Sequence, residues 1–195
     1  MEWLAMHTAG VLTVSPAVGG PATVAIANVG AANGIAHAIT AVIDINANLA
    51  VIAGANGLAT LVTAASQTQC ADVLTALTAP ASRLTVFGPT DDAFTAFFTA
   101  RNITVEQALE LQELPAILLG HCVQGVYTSL DLMAAATMTL TTLAGTSITI
   151  QTSASGTITV TPAVGGSATI ATADMGATNG IAHAITAVLD VDVST

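Results

Sequence analysis

The chain has 195 residues, which suits one ordinary domain plus a remainder and is short for two. Apolar residues make up 53% and charged residues 7%, with 12 carboxylates against two arginines, no lysine and a net charge of −10. This balance excludes a disordered chain, and it excludes nucleic acid or an anionic membrane surface as partner, since both need clustered Lys or Arg. A mean hydropathy of +0.76 and the uncharged run between Asp44 and Asp72 raise the question of a membrane span. Asn46, Asn48, Asn56, Gln67 and Gln69 interrupt that run and are costly in hydrocarbon, so a soluble domain is expected. Met1-Glu2-Trp3-Leu4 has neither the basic region nor the apolar stretch of a leader, which implies a cytosolic chain or a piece whose leader lies elsewhere.

In chain order, the first signal is a repeat. Thr13-Val14-Ser15-Pro16-Ala17-Val18-Gly19-Gly20 recurs as Thr159-Val160-Thr161-Pro162-Ala163-Val164-Gly165-Gly166. Asn33 to Val42 recurs letter for letter as Asn179 to Val188, and both pairs are offset by 146 residues, the size of a domain. Residues 1–9 do not match 147–155, so the likeness stops abruptly. The full unit then starts near Asn48.

Asn56 to Ala76 has apolar residues at mostly helical spacing, which predicts a helix. Leu84-Thr85-Val86-Phe87 predicts a strand ended by Gly88-Pro89. Thr90 can cap the next helix, with Asp91 and Asp92 in its first turn and Phe94, Phe97 and Phe98 on one side. Thr104-Val105-Glu106-Gln107 fits a capping box, and Leu114 to Val123 predicts a further helix with Pro115 near its start. After Leu132 the period switches to two. Strands are predicted over 137–142, 146–152, 157–161, 168–173 and 185–189, with Asn179-Gly180 as the turn before the last. Helices first and antiparallel strands later indicate an α+β domain.

Three motifs, in order, resemble the fasciclin domain family. They are Thr85-Val86-Phe87-Gly88-Pro89-Thr90-Asp91-Asp92-Ala93-Phe94, then Ile117-Leu118-Leu119-Gly120-His121-Cys122-Val123 followed by Tyr127 to Leu132, and then Ala173 to Ile185. Thr141, Leu143 and Gly145 fit the family's hairpin between them. The resemblance implies a fasciclin-like helical layer packed on an antiparallel β-wedge, in secreted or cell-surface proteins that occur in tandem and mediate adhesion or matrix contact. It divides the chain into residues 1–47, a C-terminal remnant of an upstream repeat, and residues 48–195, a complete domain. The candidate contact residues it implies are Asp174, Met175, Asn179, His121 and Tyr127. Its structural motif residues are Thr90, Asp91, Phe94, Gly180 and His183. Gly120 replaces the aromatic that precedes the motif histidine, and residues 172–176 keep only the Asp of an integrin-linked peptide, so integrin is not carried over.

The remaining chemistry is sparse. His121, Ser129 and Asp131 evoke a triad, but no nucleophile frame surrounds them, and capping roles fit Ser129 and Asp131 better. No enzyme activity, metal or cofactor is expected. Cys70 and Cys122 sit in apolar helical patterns as buried thiols, with one disulfide as the alternative. Asn102-Ile103-Thr104 is a glycosylation acceptor pattern. The expected function is an extracellular adhesion or matrix module whose partner is a cell-surface or matrix protein or glycan; the alternative is a carrier of a carotenoid or lipid. Residues 10–46 lack an upstream partner layer and are expected to self-associate, or to compete for the slot of 156–192.

Overall fold

A computed structural model describes residues 5–8, 11–14, 22–31, 34–40 and 47–189, and the chain divides into two units, Met1–Ala47 and Asn48–Thr195. The second unit opens with α1 (Leu49–Ala55), whose Asn48 cap accepts the Val51 N–H at 3.1 Å. The helix expected over Asn56 to Ala76 is corrected: α1 precedes it, and the span itself is divided into two helices and a 3₁₀ turn. Gly57 is left-handed (φ 78°), and the Leu58 N–H closes back on the Ala53 carbonyl at 3.1 Å. The chain continues as α2 (Ala59–Ala65), a 3₁₀ turn (Thr68–Cys70) and α3 (Ala71–Thr78). Next come α4 (Asp91–Ala100), α5 (Val105–Leu109), α6 (Leu114–Leu119) and α7 (Ser129–Ala134). The capping boxes at Thr104 and Thr128 are both formed.

In the first unit, β1 (Ala5–Thr8), β2 (Val11–Val14), β3 (Ala22–Ala31) and β4 (Gly34–Ile39) form an antiparallel meander. The second unit's strands are β5 (Leu84–Pro89), β6 (Cys122–Gln124), β7 (Thr137–Thr141), β8 (Ser147–Thr152), β9 (Ile158–Pro162), β10 (Ala168–Ala177) and β11 (Gly180–Ile185). They make one sheet in the order β6-β5-β11-β10-β9-β8-β7. β10 pairs with β9 only at Ala168 and Thr169, then with β11 up to Ala177, so the sheet opens into a wedge. This is the expected α+β class, helices packed with an antiparallel sheet, with one refinement: β5 and β11 run parallel.

Two further boundaries differ from expectation. The helix from Leu114 stops at Leu119 and not at Val123, because residues 122–124 leave it to give β5 its outer neighbour, Val86 opposite Cys122. The last strand is Gly180–Ile185 and not 185–189; beyond Ile185, Val188 and Leu189 are buried outside any strand.

β5 is buried along its whole length, as a strand with neighbours on both edges and both faces must be. Its contacts with β11 are close. A Cβ at Gly180 would lie 2.1 Å from the Leu84 carbonyl oxygen, a backbone atom that cannot move aside. On one side of this strand pair Phe87, Ile185 and Leu189 join Ile148, Ile150 and Val160 in the wedge core. On the other, α1 packs on β10 and β11. Among the described residues no helix is long and apolar enough to cross a membrane.

Cys70 and Cys122 are free, buried thiols, which settles the alternative left open by the sequence. Burial raises both, pushing Cys122 up to about 12. A thiol reagent should therefore label neither cysteine in the native chain and both in urea. Gly180→Ala should cost ~3 kcal/mol or more of unfolding free energy through overpacking against backbone. Gly176→Ala, in open space, should change it by less than ~0.5 kcal/mol; urea denaturation checks both.

Candidate functional site

Register shifts in β10 on either side of Thr172 expel residues from the ladder and turn the chain outward at Ala173 and Asp174. Asp174 is exposed and left-handed (φ 61°), a conformation that short polar side chains tolerate. Its carboxylate is tied to the start of α7, accepting the Ser129 N–H at 2.8 Å and the Ser129 hydroxyl. Its backbone N–H donates to His183 Nδ1 at 3.2 Å.

His183 is completely buried on β11 and stacks on Phe87 of β5, the ring centroids 5.6 Å apart. Its Nε2–H donates to the Tyr127 carbonyl at 2.9 Å, which leaves Nδ1 as the acceptor for Asp174. The ring is therefore neutral. Burial lowers its pKa, against the opposing pull of the Tyr127 carbonyl and the Asp174 charge. Tyr127 N–H in turn donates to Thr85 Oγ1 at 2.9 Å, and that hydroxyl donates to the Gly125 carbonyl at 3.0 Å. One connected network thus joins β10, β11, β5 and the entry to α7.

Beside this turn lies an open groove of about 390 Å³ lined by Ser129, Met133, Thr157, Ile158, Ile170 and Ala173, among others. It shares Ser129 with the Asp174 support. Its lining mixes hydroxyl-bearing and apolar side chains.

Of the five residues expected to make contacts, only Asp174 is exposed and Tyr127 is half-buried. His121, Asn179 and Met175 are corrected to interior positions. His121 is fully buried, with Nδ1–H donating to the Ile117 carbonyl at 2.7 Å and Nε2 accepting the Leu189 N–H at 2.9 Å. It pins the segment after β11 to α6, and burial drives its pKa down to about 4. Asn179 is a staple between the hairpin and the helices. Its Oδ1 accepts the Leu49 N–H at 2.9 Å, and its Nδ2 donates to the carbonyls of Leu77 and Ala79 at 2.9 and 3.1 Å. Met175, 5% exposed, fills the interior.

Thr90 caps α4 through Ala93 N–H at 3.2 Å, and Phe94 is buried against Phe98 with centroids 5.7 Å apart. Asp91 acts away from its own helix: its carboxylate accepts the Thr60 N–H at 2.7 Å, at the start of α2. His121, Ser129 and Asp131 form no triad. Their partners are respectively Ile117 and Leu189, Asp174, and Thr128. Thr85, which anchors Tyr127, and Ser129 as the partner of Asp174 were missed by sequence reasoning. Both bonds span more than 40 residues and leave no local pattern.

The arrangement can hold a carboxylate rigidly at the surface beside a shallow groove. Residues 56–191 match the fasciclin domain model. The chain belongs to the fasciclin domain family. Its fold is similar to that in a FAS1 domain pair from the insect cell adhesion molecule fasciclin I, with 20% identity, a TM-score of 0.64, and coverage of 97% of this chain and 67% of that one. No curated protein matches the sequence.

Both buried histidines are neutral when folded and protonate near 6.5 once unfolded, so acid favours the unfolded fasciclin domain. Their contribution is complete above pH ~6.5 and shrinks as pH falls below it, for His121 down to about 4. For His121 the loss over that interval is ~3 kcal/mol. His121→Gln should lower stability at neutral pH yet flatten its fall between neutral and mildly acidic pH, read by urea denaturation along a pH series.

Proposed function

We propose that this fasciclin-family chain is an adhesion or matrix-contact module of the cell surface or extracellular space, and that the Asp174 turn is its contact point. The partner is a cell-surface or matrix protein or glycan. The observation that carries this reading is the exposed Asp174 carboxylate, set on a left-handed backbone and braced by the buried ring of His183. A non-glycine residue held left-handed at a surface by its surroundings is a recurrent feature of binding sites. Membership of a family known in cell adhesion proteins supports it, as does the likeness in fold to a domain pair from an insect cell adhesion molecule. The open, partly polar groove next to the turn suits a side chain or sugar ring better than a carotenoid or lipid, which call for a deep apolar pocket.

The first unit is read as the closing part of another fasciclin-like repeat. What supports this is the 146-residue offset, carried into matching strands: β3 and β4 correspond to β10 and β11, with register shifts at equivalent places. Asn28 stands at the Asp174 position with φ 58° and donates its N–H to His37 Nδ1 at 3.2 Å.

Asn28 also supplies the probe. Asp174→Asn keeps a residue that holds this backbone conformation while removing the charge. On arrays of matrix proteins and glycans the wild-type chain should bind, and Asp174→Asn should bind about tenfold more weakly, as expected for a lost charge-assisted hydrogen bond. Asp92→Asn, an exposed carboxylate on α4, should bind as wild type. Equal binding by wild type and Asp174→Asn would refute the assignment.

A further inference from the structure

The same ten residues, 33–42 and 179–188, occur in two settings. In the second unit Met175, Ile181 and Ile185 are 5%, 6% and 0% exposed; their counterparts Val29, Ile35 and Ile39 are 48%, 67% and 37% exposed. Sequence does not explain the difference, because Ile35 and Ile39 have identical neighbours to Ile181 and Ile185. Context does. β11 has β5 along its outer edge in six consecutive residue pairs, whereas among the described residues β4 is the outer strand of its sheet.

Exposed edges in native proteins are blunted by charge, proline or a bulge. β4, Gly34-Ile35-Ala36-His37-Ala38-Ile39, carries no proline or acidic residue, and the register shifts fall in β3. Electrostatics permit contact at the same place, where large apolar side chains are also exposed. The chain bears a net charge of −10, yet residues 3–43 contain no Asp, Glu, Lys or Arg. Two copies meeting here bring no like charges of the contacting strands together.

We propose that two copies of the chain associate through β4, the two strands pairing antiparallel about a two-fold axis so that the first units share one sheet. An isologous contact of this kind is self-complementary by symmetry. Two other partners are disfavoured. The β5 strand of a folded copy is already flanked by β6 and β11 and buried throughout. Entry of the β3–β4 hairpin into another copy's β10–β11 slot expels one hairpin for each it seats, so no additional apolar surface is buried. Pairing of two β4 edges satisfies both. This surface is distinct from the Asp174 turn, so the two proposals fail independently.

Light scattering on the full chain across a concentration series tests the assignment. The expected mass rises from 19.2 kDa towards twice that value. Ile35→Lys, at a position 67% exposed and so tolerant of a charge, should weaken the dimer at least ~10-fold by placing two like charges within the short uncharged seam. It also reduces the net negative charge, so weaker association cannot come from general repulsion. Ile39→Lys, at the far end of β4, should act in the same direction. Val51→Lys makes the same charge change at an exposed apolar residue of α1 and should leave the dimer intact. Circular dichroism should show all variants folded. A wild-type chain that stays monomeric, a dimer that survives both β4 lysines, or equal dissociation by Val51→Lys would each overturn the proposal.

Discussion

The second unit depends on one strand finding its seat: β11 lies parallel to β5, is buried on both faces and has a strand on each edge. Such a strand must satisfy every backbone group, because nothing reaches water. Three local features make this possible. Gly180 lets the two backbones approach where any Cβ would strike Leu84. Asn179 just before it converts three main-chain groups of the helical layer into partners of one amide. His121 receives the chain after the strand, at Leu189 N–H. Helices and wedge are thus joined by a hairpin that arrives last in the sequence.

The surface turn inherits its geometry from that seat. His183 sits mid-strand on β11, stacked on Phe87, and its two ring nitrogens face Tyr127 and Asp174. If β11 were displaced, the ring that braces the Asp174 backbone would move with it. The family membership is consistent with this economy, in which one closing segment completes the core and presents a rigid carboxylate.

Much of this was legible in the sequence because it is written locally. The caps at Thr90 and Thr104, the period-two strands and the Asn179-Gly180 turn each rest on a few neighbouring residues and recur in the structure. The α+β class followed from their order. What was not legible depends on distant partners. The parallel β5–β11 pairing joins segments about 96 residues apart in register, Leu84 opposite Gly180. The interior roles of His121 and Asn179 come from bonds to Ile117, Leu189, Leu49, Leu77 and Ala79, of which only Ile117 is near in sequence. A polar residue in a motif reads as a contact candidate until its burial is known. The helix expected over Asn56 to Ala76 differs for another reason: its apolar residues serve two helices, α2 and α3, separated after Ala65 by a 3₁₀ turn.

The two copies of one peptide permit a direct measurement of how much the seat contributes. Native-state hydrogen exchange should be followed for residues 34–39 and 180–185, distinguished by their flanking sequences, at a dilution where the chain is monomeric. Amides of 180–185 are expected to exchange only through global unfolding, and those of 34–39 orders of magnitude faster. Equal protection of the two segments would contradict the central role assigned to the β5–β11 seat.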